Sequence, residues 1–140
     1  MTASADKKCY VFDLDGTLIE HVKYENKEDY SSADLLMRAK PKHMMALARE
    51  RFGDGHDIYV LTARTPAIRQ AIVELLASNG IQAEDVFCVG GGVGAHKKLK
   101  ADVLKSISKK YPGVLFYDDR PDNVNEANKV RGVQGQLVIY

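Results

Sequence analysis

The chain has 140 residues, 45% of them hydrophobic, and a formal net charge of +1. This length fits one domain with a proper core, covering residues 1–140, and leaves no room for a second domain of comparable size. The small net charge excludes a global field that would draw the protein to nucleic acid or to a membrane. Six lysines nevertheless cluster in one segment: Lys97, Lys98, Lys100, Lys105, Lys109 and Lys110. They form either a local basic surface or an ordinary solvated helix face.

The cysteines and the N-terminus indicate a cellular location. Cys9 and Cys88 both lie in apolar runs that are typical of strands, where free thiols behave as small hydrophobic groups. Residues 1–8 contain no apolar core of signal length, and no window reaches the ~20 apolar residues that a membrane span needs. We therefore expect a soluble cytoplasmic protein.

The first predicted strand ends at two acidic residues. An apolar run from Cys9 stops at Asp13 and Asp15, and the chain then turns through Gly16. Glycine permits a turn there, so the second carboxylate can fold back over the first. Two neighbouring carboxylates repel each other, so a site that holds both needs a bound cation or a protonated acid. A solvated turn after the strand is the alternative interpretation.

The predicted elements along the chain alternate between strand and helix. After the first strand, a short helix is predicted near Leu35. Further strands are predicted at residues 58–61, 86–89, 114–117 and 137–139. Helices are predicted from Pro41 to Gly53, from Pro66 to Asn79, and from Pro121 to Val130, and Thr65 is predicted to cap the second of these. A further helix is predicted in the lysine-rich segment and ends at about Tyr111. This alternation predicts an α/β fold: a single-domain, Rossmann-like three-layer sandwich with a mostly parallel five-stranded sheet.

Polar side chains follow three of the predicted strands. In a parallel sheet the carboxyl ends of the strands meet at one edge, where ligands bind. An acid pair, a hydroxyl and a second acid pair at the same edge favour an active site over unrelated turns. These residues are Asp13 and Asp15, Thr62 and Arg64, and Asp118 and Asp119.

The first acid pair lies in Val-Phe-Asp-Leu-Asp-Gly-Thr-Leu, residues 11–18. This stretch resembles the first motif of the haloacid dehalogenase superfamily of aspartate-nucleophile phosphotransferases. The resemblance implies that Asp13 attacks phosphorus and that Asp15 protonates the leaving oxygen and later activates water. It also implies substrate contacts at Gly16 and Thr17, and a backbone carbonyl of Asp15 that helps to hold Mg²⁺.

The later motifs extend the resemblance. Thr62 matches the hydroxyl of the second motif, followed by Ala63, where glycine is usual, and Arg64. Both are assigned to substrate binding, although Arg64 has two open interpretations: a contact with substrate phosphate, or an ion pair with a nearby acid. In the fourth motif, the resemblance makes Asp119 a direct ligand of Mg²⁺ and Asp118 its support. The implied metal set is Asp13, Asp15, Asp118 and Asp119, whose oxygen atoms suit Mg²⁺.

A lysine that neutralises the transferring group is also implied, and helical geometry selects among the candidates. With ~100° per residue, an apolar arc of the lysine-rich helix contains Leu99, Val103 and Ile107. Lys100 falls inside this arc, whereas Lys97 and Lys98 fall outside it. We therefore predict Lys100 as the active-site lysine, with Lys98 as the alternative.

The spacing between the motifs indicates which type of haloacid dehalogenase-like protein this chain resembles. Only residues 18–40 follow the first motif before the next element, which is too short for a cap domain, so we expect an open site. This layout is similar to the 3'-phosphatase domain of phage-type polynucleotide kinase-phosphatases, although no G-x-x-x-x-G-K-[ST] loop is present to supply a kinase half. We expect a phosphorylated substrate, at a nucleic-acid 3' end or on a nucleotide. A sugar or metabolite phosphatase is the alternative.

A glycine-rich loop supports a rival hypothesis from another class. Residues 90–95 read Gly-Gly-Gly-Val-Gly-Ala between a predicted strand and helix, as in dinucleotide-binding folds. A dinucleotide-binding module would leave Asp13, Asp15 and Thr62 without a function. A flexible loop beside the active site is the interpretation that we prefer.

Overall fold

The computed structural model describes residues 7–91 and 94–139. Its sheet contains five strands: Cys9–Phe12 (β1), Asp57–Thr62 (β2), Asp85–Cys88 (β3), Val114–Asp118 (β4) and Val133–Leu137 (β5). The strand order is β3-β2-β1-β4-β5, and every pair is parallel. Since β1 is the central strand, Asp13 lies at the middle of the carboxyl edge of the sheet.

Helices cover both faces of the sheet. They are Ala33–Arg38 (α1), His43–Gly53 (α2), Arg69–Ser78 (α3), His96–Ser108 (α4) and Pro121–Ala127 (α5), with short 3-10 helices at Lys27–Ser31 and Pro66–Ile68. Side chains of β1 alternate between two cores: Phe12 packs with α1, α2 and α3, whereas Val11 packs with α4 and α5. The predicted three-layer α/β sandwich is therefore confirmed.

One local prediction was wrong, and another holds only in part. The last strand is Val133–Leu137 rather than residues 137–139, because pairing with β4, not hydrophobicity, defines this edge strand, which exposes Gln134 and Gln136. Thr65 is the N-cap residue before Pro66, as predicted, but the helix begins with a 3-10 turn and the Thr65 side chain makes no capping hydrogen bond. The Thr65 hydroxyl instead lies 3.4 Å from the Ser31 hydroxyl.

The segment between β1 and α2 contains no inserted domain. It consists of a turn, one 3-10 helix and α1, which packs against α3. The carboxyl edge of the sheet is therefore uncapped over the residues described. No helix within these residues combines the length and the apolar character that a membrane crossing requires. The N-terminal residues 1–6 and the loop residues Gly92 and Val93, which entered the predictions above, lie outside the described part.

Candidate active site

The ends of β1 and β4 bring three carboxylates together. The two strands are adjacent, with Phe12 opposite Tyr117, so Asp13 and Asp118 follow at neighbouring positions. One oxygen from each of Asp13, Asp118 and Asp119 lies within 4.8 Å of the others. Asp13 and Asp118 are buried, with 6% and 0% of their surfaces exposed. Such a set of oxygen ligands suits a hard divalent cation.

Gly16 allows the third carboxylate to approach. Its φ of +82° is a conformation that residues with a Cβ atom rarely adopt, and a Cβ atom there would lie 2.2 Å from Asp119 Oδ2. The backbone N–H of Gly16 donates to the carbonyl of Ile19, which closes the turn. The glycine of the first motif thus brings the β1 turn into contact with Asp119.

Lys100 forms ion pairs with two of the three carboxylates, Asp13 and Asp118. Its Nζ lies 2.8 Å from Asp13 Oδ1 and 2.9 Å from Asp118 Oδ2, and only 2% of its surface is exposed. Burial acts to lower the pKa of Lys100, but Asp13 and Asp118 outweigh it and raise this pKa above its usual value. Lys98, the alternative candidate, is exposed on α4.

The cluster carries more negative charge than Lys100 can neutralise. Burial raises the pKa of Asp13 to about 8, and Asp118 and Asp119 act in the same direction against the opposing effect of Lys100. Burial and Asp118 likewise raise the pKa of Asp119. Three carboxylates facing one buried ammonium form a site in which a further cation would stabilise the ionised acids.

Asp118 is held by protein groups through both oxygens. Its Oδ2 accepts hydrogen bonds from Lys100 and from Asn123 Nδ2 at 3.0 Å, and its Oδ1 accepts one from the backbone N–H of Arg120 at 3.0 Å. Asn123 is buried and was missed in the sequence analysis. Its position in the first turn of the helix that follows the acid pair is a signal that could have found it.

Arg64 holds the side chain of Asp15. Its Nε and Nη2 donate to the two carboxylate oxygens of Asp15 at 2.9 and 2.7 Å, and its Nη1 donates to the carbonyl of Tyr30 at 2.8 Å. The rings of Tyr24 and Tyr30 lie 5.8 and 5.4 Å from the guanidinium carbon. Of the two interpretations of Arg64, the structure contains the ion pair. The group of three neighbouring carboxylates does not include Asp15, although Asp15 lines the same cleft.

The remaining predicted residues lie around the same cleft. Thr62 Oγ1 accepts a hydrogen bond from the backbone N–H of Arg64 at 3.1 Å, which leaves its hydroxyl hydrogen for an acceptor in the cleft. Thr17 is fully buried, and its hydroxyl donates to Asp13 Oδ2 at 3.4 Å. Ala63 lines the cleft, whereas Thr17 contacts Asp13 without lining the cleft itself.

The cleft is open and has a volume of about 890 Å³. Asp13, Asp119 and Lys100 line it. Cationic and imidazole side chains from three separate segments line it as well: His21, Lys27, His96, Lys97 and Arg120. Asp122 also lines the cleft and pairs with Arg120 at 3.6 Å. A cleft that combines several carboxylates with several cationic groups suits a phosphorylated ligand together with a cation.

Gly90 has a structural function in the glycine-rich loop. A Cβ atom at Gly90 would lie 2.1 Å from the carbonyl oxygen of Ala63, and the N–H of Gly90 donates to the carbonyl of Arg64 at 3.0 Å. This glycine lets the loop after β3 pack directly on the loop after β2. The contact accounts for the first glycine without a bound dinucleotide.

The fold and the placement of the acids define a capless, haloacid dehalogenase-like α/β fold, the class that the first motif indicated. The chain resembles a chain of the Pnkp1/Rnl/Hen1 RNA repair complex with a TM-score of 0.78 and 20% identity, over 96% of this chain and 43% of that one. It therefore spans less than half the length of that relative.

Two further solved structures have the same fold over most of their length. A hydrolase from Streptococcus pneumoniae has a TM-score of 0.66 and 15% identity, over 95% of this chain and 93% of that one. A HAD family enzyme from Bacteroides thetaiotaomicron, in complex with magnesium and inorganic phosphate, has a TM-score of 0.59 and 12% identity, over 94% and 93%. No protein-family model and no curated protein sequence matches the chain.

Proposed function

We propose that the protein is a magnesium-dependent phosphatase that hydrolyses a phosphomonoester through an aspartyl-phosphate on Asp13. The observation that carries the proposal is the cluster of Asp13, Asp118 and half-buried Asp119, the first two buried and bound by Lys100, at the carboxyl edge of a haloacid dehalogenase-like sheet. Solved structures with the same fold, including one with bound magnesium and phosphate, support it.

In the first step an Asp13 oxygen attacks phosphorus and the bond from phosphorus to the leaving oxygen breaks. Asp15 enters this step protonated and gives its proton to that oxygen, so the product leaves as an alcohol and Asp15 becomes the carboxylate that pairs with Arg64. Arg64 orients the Asp15 carboxyl group through two hydrogen bonds. Lys100 and the Thr62 hydroxyl stabilise the negative charge around the transferring group.

In the second step a water molecule attacks phosphorus and the bond from phosphorus to Asp13 breaks. Asp15 takes the proton of the attacking water, which restores both aspartates and releases inorganic phosphate. Asp13 and Asp119, with the backbone carbonyl of Asp15, would hold Mg²⁺ supported by Asp118. When bound, the ion supplies positive charge that offsets the charges of the phosphoryl group and the carboxylates.

The proposed substrate is a phosphate at a nucleic-acid 3' end or on a nucleotide. The uncapped cleft admits the end of a polymer, and Lys97 and Arg120 lie at its rim. Likeness to a chain of an RNA repair complex supports this substrate class. A sugar or metabolite phosphate is the second candidate, since about 890 Å³ is within the usual range of small-molecule pockets.

Chelation and a single substitution test the proposed chemistry. We expect hydrolysis of an aryl phosphate in Mg²⁺, loss of turnover in excess chelator, and loss of activity by a factor on the order of 10³ or more in Asp13→Asn, because the amide is a poor nucleophile. The melting temperature of the variant serves as the folding control. Full activity in folded Asp13→Asn would overturn the mechanism.

A further inference from the structure

A second basic surface lies outside the catalytic cleft. It is a groove of about 510 Å³ between the end of α4 and the turn after α5. Lys105, Lys109, Lys129 and Arg131 line it, and the described lining residues include no acid. Tyr111 also lines the groove, but its hydroxyl is hydrogen-bonded to Asp57 and Tyr59. The groove therefore presents mainly cationic groups.

Two helices, α4 and α5, lie between the cleft and the groove and pack against each other. α4 begins beside the cleft, where His96 and Lys97 line it, and ends beside the groove. α5 packs against α4 and follows Arg120, another cleft residue. We call the cationic side chains along these helices the basic seam, defined as half-buried Lys97 together with the exposed residues Lys98, Lys105, Lys109, Lys129 and Arg131.

One carboxylate lies close to cations of α4 and of the turn after α5. Glu126 of α5 accepts a hydrogen bond from Lys129 at 2.8 Å. Lys129 lowers the pKa of Glu126, and Lys98 and Lys97 of α4 contribute in the same direction. Lys97, which lines the cleft, and Lys129, which lines the groove, therefore both lie in the neighbourhood of Glu126 on the packed helices α4 and α5.

Helical periodicity places the α4 lysines on one solvent-facing line. Lys98, Lys105 and Lys109 are separated by seven and four residues, spacings that return to the same helix face. One acid, Asp102, shares this face between Lys98 and Lys105, so the face carries three lysines and one carboxylate. All three lysines are exposed, on the side opposite to buried Leu104 and Ile107. Within the described residues, Lys105, Lys109 and Arg131 form no ion pair, so their charges are available to a ligand.

We propose that the basic seam binds the phosphodiester backbone of a nucleic acid whose terminal phosphate occupies the cleft. This inference rests on the proposed function of that cleft. The α4 helix of 13 residues is about 20 Å long at ~1.5 Å per residue.

A polyphosphate backbone fits this surface better than an acidic protein does. The basic line starts at the proposed phosphate site and leads outwards, so one strand would place its terminal phosphate in the cleft and its following phosphates on the seam. Lysines bind phosphate as point charges and distinguish no bases. Binding along the seam is consequently independent of sequence and strongly dependent on salt.

A binding experiment compares two variants that each lose two charges. Lys105→Gln/Lys109→Gln removes groove cations. The control Arg38→Gln/Lys40→Gln removes two exposed cations at the end of α1, on the opposite face of the sheet, of which Arg38 is paired with Asp34. Anisotropy of a labelled, single-stranded 12-mer with a 3'-phosphate is measured without Mg²⁺. We expect the groove variant to bind about 5- to 10-fold more weakly at low salt, with a slope of log K against log salt shallower by about 1.4. The control variant should behave as the parent protein does.

A kinetic experiment separates this proposal from the proposed function. In Mg²⁺, the groove variant should lower kcat/KM for the 12-mer about 5- to 10-fold and leave kcat/KM unchanged for a 3'-mononucleotide and an aryl phosphate. If all three substrates are hydrolysed and the groove variant has the same kcat/KM for the 12-mer as the parent protein, the proposal for the basic seam is overturned while the proposed function stands. Absence of any hydrolysis overturns the proposed function, and the anisotropy measurement then decides the seam by itself. Binding of polyglutamate but not of the oligonucleotide also overturns the proposal.

Discussion

Arg64 illustrates how a single residue can be oriented entirely by protein partners. Three of its N–H groups bind Asp15 and the carbonyl of Tyr30, and its side chain is only 3% exposed. A guanidinium that is already bound in this way has little capacity left for substrate. Its position instead makes it a positioning residue for the proposed acid and base, Asp15.

Substrates with different leaving groups can test whether Arg64 positions Asp15. Arg64→Lys keeps the charge but loses the planar pair of hydrogen bonds, so Asp15 should become misoriented. An alkoxide leaving group needs a proton, whereas a nitrophenolate does not. We expect kcat to fall on the order of tenfold or more for an alkyl phosphate and only a few-fold for p-nitrophenyl phosphate. Equal losses for the two substrates would contradict the assignment.

At the scale of elements, the site depends on close packing between loops of adjacent strands. Gly90 brings the loop after β3 onto the loop after β2, where its N–H binds the carbonyl of Arg64. Any Cβ atom at this position would overlap the carbonyl oxygen of Ala63, which is backbone and cannot simply rotate away. The loop after β3 is therefore tied to the loop that contains Thr62 and Arg64.

Substitution of a glycine tests this contact. Gly90→Ala should displace the loop after β2, lower the free energy of unfolding by about 1–3 kcal/mol and reduce kcat. Gly113→Ala is the matched control, since no atom lies within 4 Å of a Cβ atom at that position. Stability and aryl phosphatase activity are measured for both variants. A Gly90→Ala protein as active and stable as Gly113→Ala would refute the packing argument.

At the scale of the whole molecule, the buried acids connect the stability of the fold with pH and metal. The pKa of Asp13 is raised to about 8 in the folded protein, whereas an exposed aspartate titrates near ~3.9. Between these pH values the folded protein holds a proton that the unfolded chain has lost. The free energy of unfolding of the metal-free protein should therefore fall as the pH rises from about 4 to 8.

Magnesium should counteract this loss. It binds the ionised acids and only in the folded state, so the increase in Tm that it causes should grow as the pH rises from about 5.5 to about 8. Thermal unfolding with and without Mg²⁺ at several pH values measures the effect. Asp13→Asn should lose most of the pH dependence. The expectation would be contradicted if Mg²⁺ raised Tm by the same amount at every pH, or if the pH dependence of that increase were the same in Asp13→Asn as in the parent protein.

The sequence by itself determined the fold class and the candidate residues at the sheet edge. Alternation of strand and helix patterns predicts a parallel sheet, and parallel strands share one carboxyl edge. Asp13, Thr62 and Asp118 therefore had to lie near one another once the strands were recognised. The helical period likewise directed Lys100 inward, because the angle between residues of one helix is set by local geometry.

Only the tertiary structure decided which partners these side chains have. The pairing of Arg64 with Asp15, the contact of Asn123 with Asp118 and the basic seam depend on distances between elements far apart in sequence, which no local period encodes. The last strand was misplaced for the same reason, because its hydrogen-bonding to β4 outweighs the hydrophobicity of residues 137–139. Local periodicity defines the face on which a residue lies, whereas the packing of separate elements defines what that residue contacts.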